Sequence, residues 1–150
     1  MKYWKYLLYV IRHKWYVFIE CRKEGLIWQG IVHDLSKFNP VEFIPYTDRF
    51  FSERGYAQDV LTAFWYAWLH HQHRNKHHWN YWVVDQHEQR ALQMPDKYTI
   101  EMVCDWKAMG RVGKDTAKDF YTKNMDKIIL HPLTRIDVER KLGIRKYYVR

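Results

Sequence analysis

The sequence predicts an all-α, single-domain helical bundle, and three observations carry that expectation. Apolar residues recur at helical spacing along most of the chain. Gly25, Gly55 and Gly110, with Pro40, Pro95 and Pro132, fall at the ends of those runs, where helices stop and start. No stretch alternates apolar and polar residues like a half-buried strand, and no repeat, low-complexity tract or long linker divides the 150 residues.

The first helix is expected from about Lys2 to Glu24 and ends at Gly25. Tyr6, Val10, His13, Val17 and Cys21 share one face of it, so His13 lies on an inward, mostly apolar stripe. A second helix covers Leu26 to Lys37, with Ile27, Gly30, Ile31 and Asp34 on one side. Asn39-Pro40-Val41-Glu42 reads as a helix start, with Asn39 as cap, Pro40 in the first position and Glu42 three residues after the cap. That third helix runs to about Phe51. After a turn at Gly55, a fourth covers Tyr56 to His73 with Val60, Phe64, Ala67 and His71 in one stripe. Residues 75–89 either continue as helix or restart near Lys76. Pro95 opens a helix to Met109, closed by Gly110, with Tyr98, Glu101, Met102, Asp105 and Met109 on one face. A helix over Lys114 to Asn124 and a short one after Pro132 complete the chain. Residues 6–109 form the expected core and 110–150 a C-terminal helical extension.

Apolar residues make up 47% of the chain and aromatics 18%, which suits a folded domain rather than a disordered one. The formal charge of +8 draws anions, so nucleotides, phosphate esters, nucleic acid and acidic lipids are all admissible partners. No RNP strand, helix-turn-helix signature or zinc finger is present, which disfavours nucleic acid. The two cysteines, Cys21 and Cys104, lack metal-type spacing and point to a reducing, cytoplasmic setting. Apolar residues 6–11 and 15–19 are interrupted by Arg12, His13 and Lys14, so the first helix is not expected to span a membrane. A buried core helix is the better reading, with peripheral membrane contact as the alternative.

His33-Asp34 places a nitrogen and an oxygen ligand side by side, within reach of one divalent cation. His13 lies upstream, the run from His70 to His78 downstream, and Asp105 beyond that. Imidazoles and carboxylates are costly to bury alone, so inward-facing His13, Asp34 and Asp105 need partners. Several helices each presenting a ligand to a shared interior is how bundles build metal sites.

The order His13, His33-Asp34 within HDLSK, a histidine cluster, then Asp105 resembles the HD-domain superfamily of metal-dependent phosphohydrolases. The likeness covers about residues 6–109 and implies an HD-domain-like helical fold. HDLSKFNPVEF, HHQHRNKHHWNYW and MPDKYTIEMVCDWKAMG also resemble a small uncharacterised bacterial and phage family. The superfamily resemblance implies His13, His33, Asp34 and Asp105 as ligands of one divalent ion. The His77-His78 pair resembles the extra ligands of two-metal members, with His71 as a further candidate. Of these, His71 and His78 are assigned to metal, and His77 joins Arg74 and Asn75 on the substrate side. Lys37 is placed to neutralise phosphoryl charge, and Glu101, one turn before Asp105, to orient a ligand or accept a proton.

The expected activity is hydrolysis of a phosphomonoester or phosphodiester, with a nucleotide or cyclic nucleotide as substrate. One or two ions of Mn, Fe, Co, Ni, Zn or Mg would serve it. Tyr66, Trp79 and Trp82 are candidates for stacking a base. A non-catalytic module that sequesters an anionic nucleotide or contacts a protein partner is the alternative, and non-specific nucleic-acid binding through the positive charge is a third.

Overall fold

The apolar stripe of the first helix organises the molecule. The computed structural model describes residues 1–145. Helix α1 (Lys2–Lys23) buries Tyr6, Val10, His13, Val17, Glu20 and Cys21, and Gly25 ends it at φ +76°, the left-handed conformation glycine adopts without penalty. Near the start of α1, Tyr6 and Val10 pack with Tyr46, Phe64 and Ala67. Further along, Val17 and Cys21 pack with Cys104 and Ala108. His13 falls between these two apolar clusters.

Helices α3 (Pro40–Phe51) and α4 (Gln58–Arg74) supply the partners of the first cluster, and α5 (Asp96–Val112) those of the second. The opposite side of α5 carries Met102 and Val103 into a third cluster with Tyr121, Ile128, Leu130 and Val138. That cluster unites α5 with α6 (Ala117–Asn124) and α7 (Pro132–Lys141). Residues 110–145 therefore share a core with α5 rather than trailing from it. Residues 146–150 of the expected extension lie outside the described residues. The fold is mostly helical and single-domain, as the sequence predicts, with seven α-helices among the described residues.

Four local departures from the sequence reading have physical causes. The expected second helix stops early: α2 spans Ile27–Val32, His33 is extended, Asp34 is left-handed at φ 51°, and a 3-10 turn follows over Leu35–Phe38. Adjacent helical residues point about 100° apart, so the break is what turns both His33 and Asp34 inward. The segment after α4 is not helical. Asn75 caps α4, a 3-10 turn spans Trp79–Trp82, and β1 (Val83–Asp85) pairs antiparallel with β2 (Arg90–Ala91). Asp85 holds the hairpin turn by accepting from the backbone of His87 and Glu88, a local bond that competes with helix. Helix α5 runs past Gly110 to Val112. Helix α6 starts only at Ala117, where Thr116 and Asp119 form a capping box.

Helices α1 and α2 approach closely at Gly30, where a Cβ would meet the Phe18 Cα at 3.0 Å and the Cys21 Cβ at 3.1 Å. Gly30→Leu should therefore force the helices apart and cost about 1–3 kcal/mol of overpacking, read as a lower urea midpoint.

Candidate metal centre

Between the apolar clusters lies a set of buried and half-buried ionisable side chains drawn from five parts of the chain. Helix α1 contributes His13, the break after α2 contributes His33 and Asp34, and α3 contributes Glu42. Helix α4 and the loop after it bring His71, His77 and His78, and α5 brings Glu101 and Asp105. His33, Asp34, Glu42, His71 and His77 are each at most 2% exposed.

The donors fall into three groups. His13, His33 and Asp105 form one, Asp34, His71, His77 and His78 another, and His33 and His77 link the two through a third with Glu101, ligand atoms of each group lying within 4.8 Å of one another. His13 Nε2 lies 3.0 Å from Asp105 Oδ1, and His33 Nε2 lies 3.7 Å from the same oxygen. Asp34 stands between the groups: Oδ1 is 3.4 Å from His71 Nε2 and 3.3 Å from His77 Nε2, while Oδ2 is 3.4 Å from His33 Nε2. His78 Nε2 is 2.9 Å from His71 Nε2. Ligands bonded to one ion at about 2.0–2.2 Å stand roughly 3–3.6 Å apart, so these separations suit coordination.

Each imidazole's second nitrogen matters as much. Glu101 Oε1 lies 3.0 Å from His33 Nδ1 and 3.2 Å from His77 Nδ1, so one carboxylate turns two rings with their Nε2 atoms inward. Glu42 does the same on the other side, with Oε2 2.8 Å from His71 Nδ1 and Oε1 2.7 Å from His70 Nδ1. Carboxylates in this position fix the tautomer and raise the basicity of ligating histidines. Glu42 is thus not a backbone cap. It is fully buried, and Ser36 Oγ donates to it at 2.9 Å.

A direct test of fit comes from atoms left without partners. His33 Nε2, His77 Nε2 and Asp34 Oδ1 are buried and make no hydrogen bond, although all three point into the shared space. Unpaired buried acceptors are costly and rare in native proteins. Borderline nitrogen donors with a bridging carboxylate suit a divalent transition metal, and the residues present fit one or two such ions.

Electrostatics follow the same layout. Burial works against the charge on Asp34, yet His33, Lys37, His71 and His77 hold its carboxyl well below the usual range. Asp105 is likewise lowered against burial, chiefly by His13. Burial lowers His33 despite Asp34 beside it. It also lowers His78 strongly, with His77 and His71 adding to the effect. His77 is raised, because its hydrogen bond to Glu101 and the charge of Asp34 outweigh burial.

The structure brings His13, His33, Asp34, His71, His78, Asp105, Lys37 and Glu101 together. Lys37 Nζ sits 2.7 Å from Asp34 Oδ2. His77, expected on the substrate side, lies among the donors instead. Asn75, expected there too, spends its amide on Ser36 Oγ and the His71 carbonyl, both at 2.8 Å, and so braces the His71 turn. Arg74 is exposed, with no hydrogen bond or ion pair to the cluster. Trp82 donates its indole N–H to the Lys76 carbonyl at 2.8 Å and packs, half-buried, with Trp79 on the α5–α7 core. Trp68 is the indole that touches the site, its ring 5.8 Å from His71 and 5.5 Å from His78. Lys14 was also not foreseen. Its ammonium donates to the carbonyls of Ile31 and His33, fixing the end of α2 where the ligand pair begins.

The chain belongs to a family described as a family of unknown function (DUF5662), which matches residues 2–143. No curated protein and no solved structure matches it.

Glu101→Gln should weaken divalent-metal affinity about 10–100-fold while the helical circular dichroism is kept, read by competition with a chromophoric chelator. Metal-free protein should also lose stability as pH falls below about 6.5. His33 and His78 are depressed in the fold, so the unfolded chain takes up their protons first. His77 is raised, so its stabilisation has already been gained by about pH 6.5 and does not offset the fall below it. Urea midpoints of chelator-treated protein across that interval check the sign.

Proposed function

We propose that this member of DUF5662 is a metal-dependent phosphohydrolase of HD-domain type, cleaving a phosphoester. The observation that carries the reading is the convergence of three partnerless buried atoms, His33 Nε2, His77 Nε2 and Asp34 Oδ1, in one space. His13, His33, Asp34 and Asp105 would hold one ion, and Asp34, His71, His77 and His78 a second. Bound there, a divalent ion supplies Lewis acidity toward a phosphoryl oxygen and acidifies water at neutral pH.

The chain's own residues do the rest. Glu101 holds His33 and His77, and Glu42 holds His71, in the tautomer that presents Nε2. Burial works against the charge on Lys37, but Asp34 and Asp105 together hold its ammonium protonated, and it retains 16% side-chain exposure. It is the cation placed to offset charge that develops on phosphoryl oxygens. His78 and Asp105 are the donors with the most remaining exposure, one in each ion's group, so substrate would approach past them. The basic surface favours arrival of an anion there. Trp79 and Trp82 are half-buried against the α5–α7 core and Tyr66 faces solvent on α4, so base stacking gives little support to a nucleotide over other phosphoesters.

Elemental analysis of the purified protein should find stoichiometric transition metal. Assays with Mn²⁺, Co²⁺, Ni²⁺ or Mg²⁺ against a panel of phosphomonoesters, nucleotides and cyclic nucleotides should show chelator-sensitive hydrolysis. His33→Ala and Asp34→Ala should each reduce it to background. Hydrolysis that survives both substitutions would refute this site.

A further inference from the structure

The side of α1 that faces away from the core is also apolar. Trp4, Leu8, Ile11 and Trp15 repeat the i, i+4, i+7, i+11 spacing of the buried stripe, yet they are 63%, 48%, 50% and 58% exposed. The neighbouring α2 adds Ile27, Trp28 and Ile31, at 52%, 67% and 50%. A groove of about 370 Å³ runs between the two helices, walled by Ile11, Trp15, Phe18, Ile31 and Phe38 with Lys14 at its edge. An apolar surface this continuous is uncommon on a protein that stays free in water.

Charge narrows what covers it. Lys5 and Arg12 are exposed on the flank of the stripe, and Arg22 and Lys23 lie at its end. The only acid within α1, Glu20, is buried and held by Lys23 and Arg111. A second copy of the chain would set Lys5 and Arg12 against their equivalents, on a molecule of net charge +8. An acidic partner avoids that repulsion. Three exposed tryptophans beside lysine and arginine match the layer where lipid headgroups meet acyl chains, in which indole rings and long cations are favoured. No helix among the described residues is long and apolar enough to cross a membrane, so the contact lies along the surface.

We propose that the α1–α2 face docks on an anionic phospholipid surface, with α1 lying in the plane of the interface and Trp4, Trp15 and Trp28 inserted at headgroup depth. Lys5 and Arg12 then face lipid phosphates, which adds a salt-sensitive attraction.

The test is co-sedimentation of the full chain with vesicles of phosphatidylcholine, alone or with about one third phosphatidylglycerol. Binding to the anionic vesicles is expected, weakening with salt. Charge alone could draw a basic protein to them, so the deciding variant leaves charge untouched. Trp4→Gln, Ile11→Gln and Trp15→Gln combined should lower partitioning about tenfold or more with unchanged circular dichroism. Trp65→Gln with Tyr66→Gln, on the exposed side of α4, should bind as the parent does. Should the triple variant fold poorly, Lys5→Glu with Arg12→Glu supplies a second measure, weakening binding to anionic vesicles only. Equal binding by the triple variant, or no vesicle binding at low salt, would overturn the proposal. So would a lipid-free dimer that the triple variant dissociates, since the face would then belong to a second copy.

Discussion

Burying charge between apolar clusters is the constraint on which this structure depends. His13, His33, Asp34, Glu42, His71, His77 and Glu101 are all buried where α1, α3, α4 and α5 meet. An ionised group taken from water without a partner costs several kcal/mol, and small domains are stable by only about 5–15 kcal/mol in total. The set is tolerable only as a set. Glu101 is shared by His33 and His77, Glu42 by His70 and His71, and Asp34 lies between the two imidazole groups with Lys37 on Oδ2. The surrounding elements hold these shared contacts in register. Asn75 ties the end of α4 to Ser36, and Ser36 in turn donates to Glu42.

Much of this was legible in the sequence where one helix face carries both apolar residues and a ligand. His13 stands at i+7 from Tyr6, and Asp105 at i+4 from Glu101, so periodicity alone placed them inward. The break at His33-Asp34 was hidden because Ile27, Gly30, Ile31 and Asp34 continue a helical rhythm that the backbone abandons after Val32. Glu42 was misread for a different reason. A carboxylate three residues after an Asn cap is what a capping box requires, and local spacing cannot show that His70 and His71 compete for it from another helix. His77 and His78 are adjacent, and only the loop path after Arg74 reveals that both reach the donor cluster. The hairpin of β1 and β2 is too short for alternation to register.

The left-handed residue at the site has a price and a purpose. Asp34 at φ 51° is a non-glycine residue in a sparsely populated region, though aspartate tolerates it better than most. Such conformations persist where surrounding contacts over-determine them, and they gather at functional sites. Here the contacts are identifiable. Lys14 binds the carbonyls on one side of the break, and Lys37 pairs with the Asp34 carboxylate on the other. A continuous helix through these residues would keep only one of His33 and Asp34 facing the other donors.

Helix α1 does two jobs on two faces, and Lys14 lies between them. The buried stripe brings His13 to Asp105, while the opposite stripe of Trp4, Leu8, Ile11 and Trp15 meets solvent. Lys14 edges the outer groove beside Trp15 and Ile31, yet its ammonium reaches inward to the carbonyl of His33. Burial lowers its pKa, so its charge is held at some cost, offset in part by Asp34. A partner seated on the groove would desolvate Lys14 further and, while the ammonium keeps its proton, strengthen its bonds to the carbonyls that precede Asp34. The physical continuity from outer face to donor cluster is one side chain long. A helix that presents tryptophan outward and histidine inward at the same spacing therefore cannot have its two faces changed independently around Lys14.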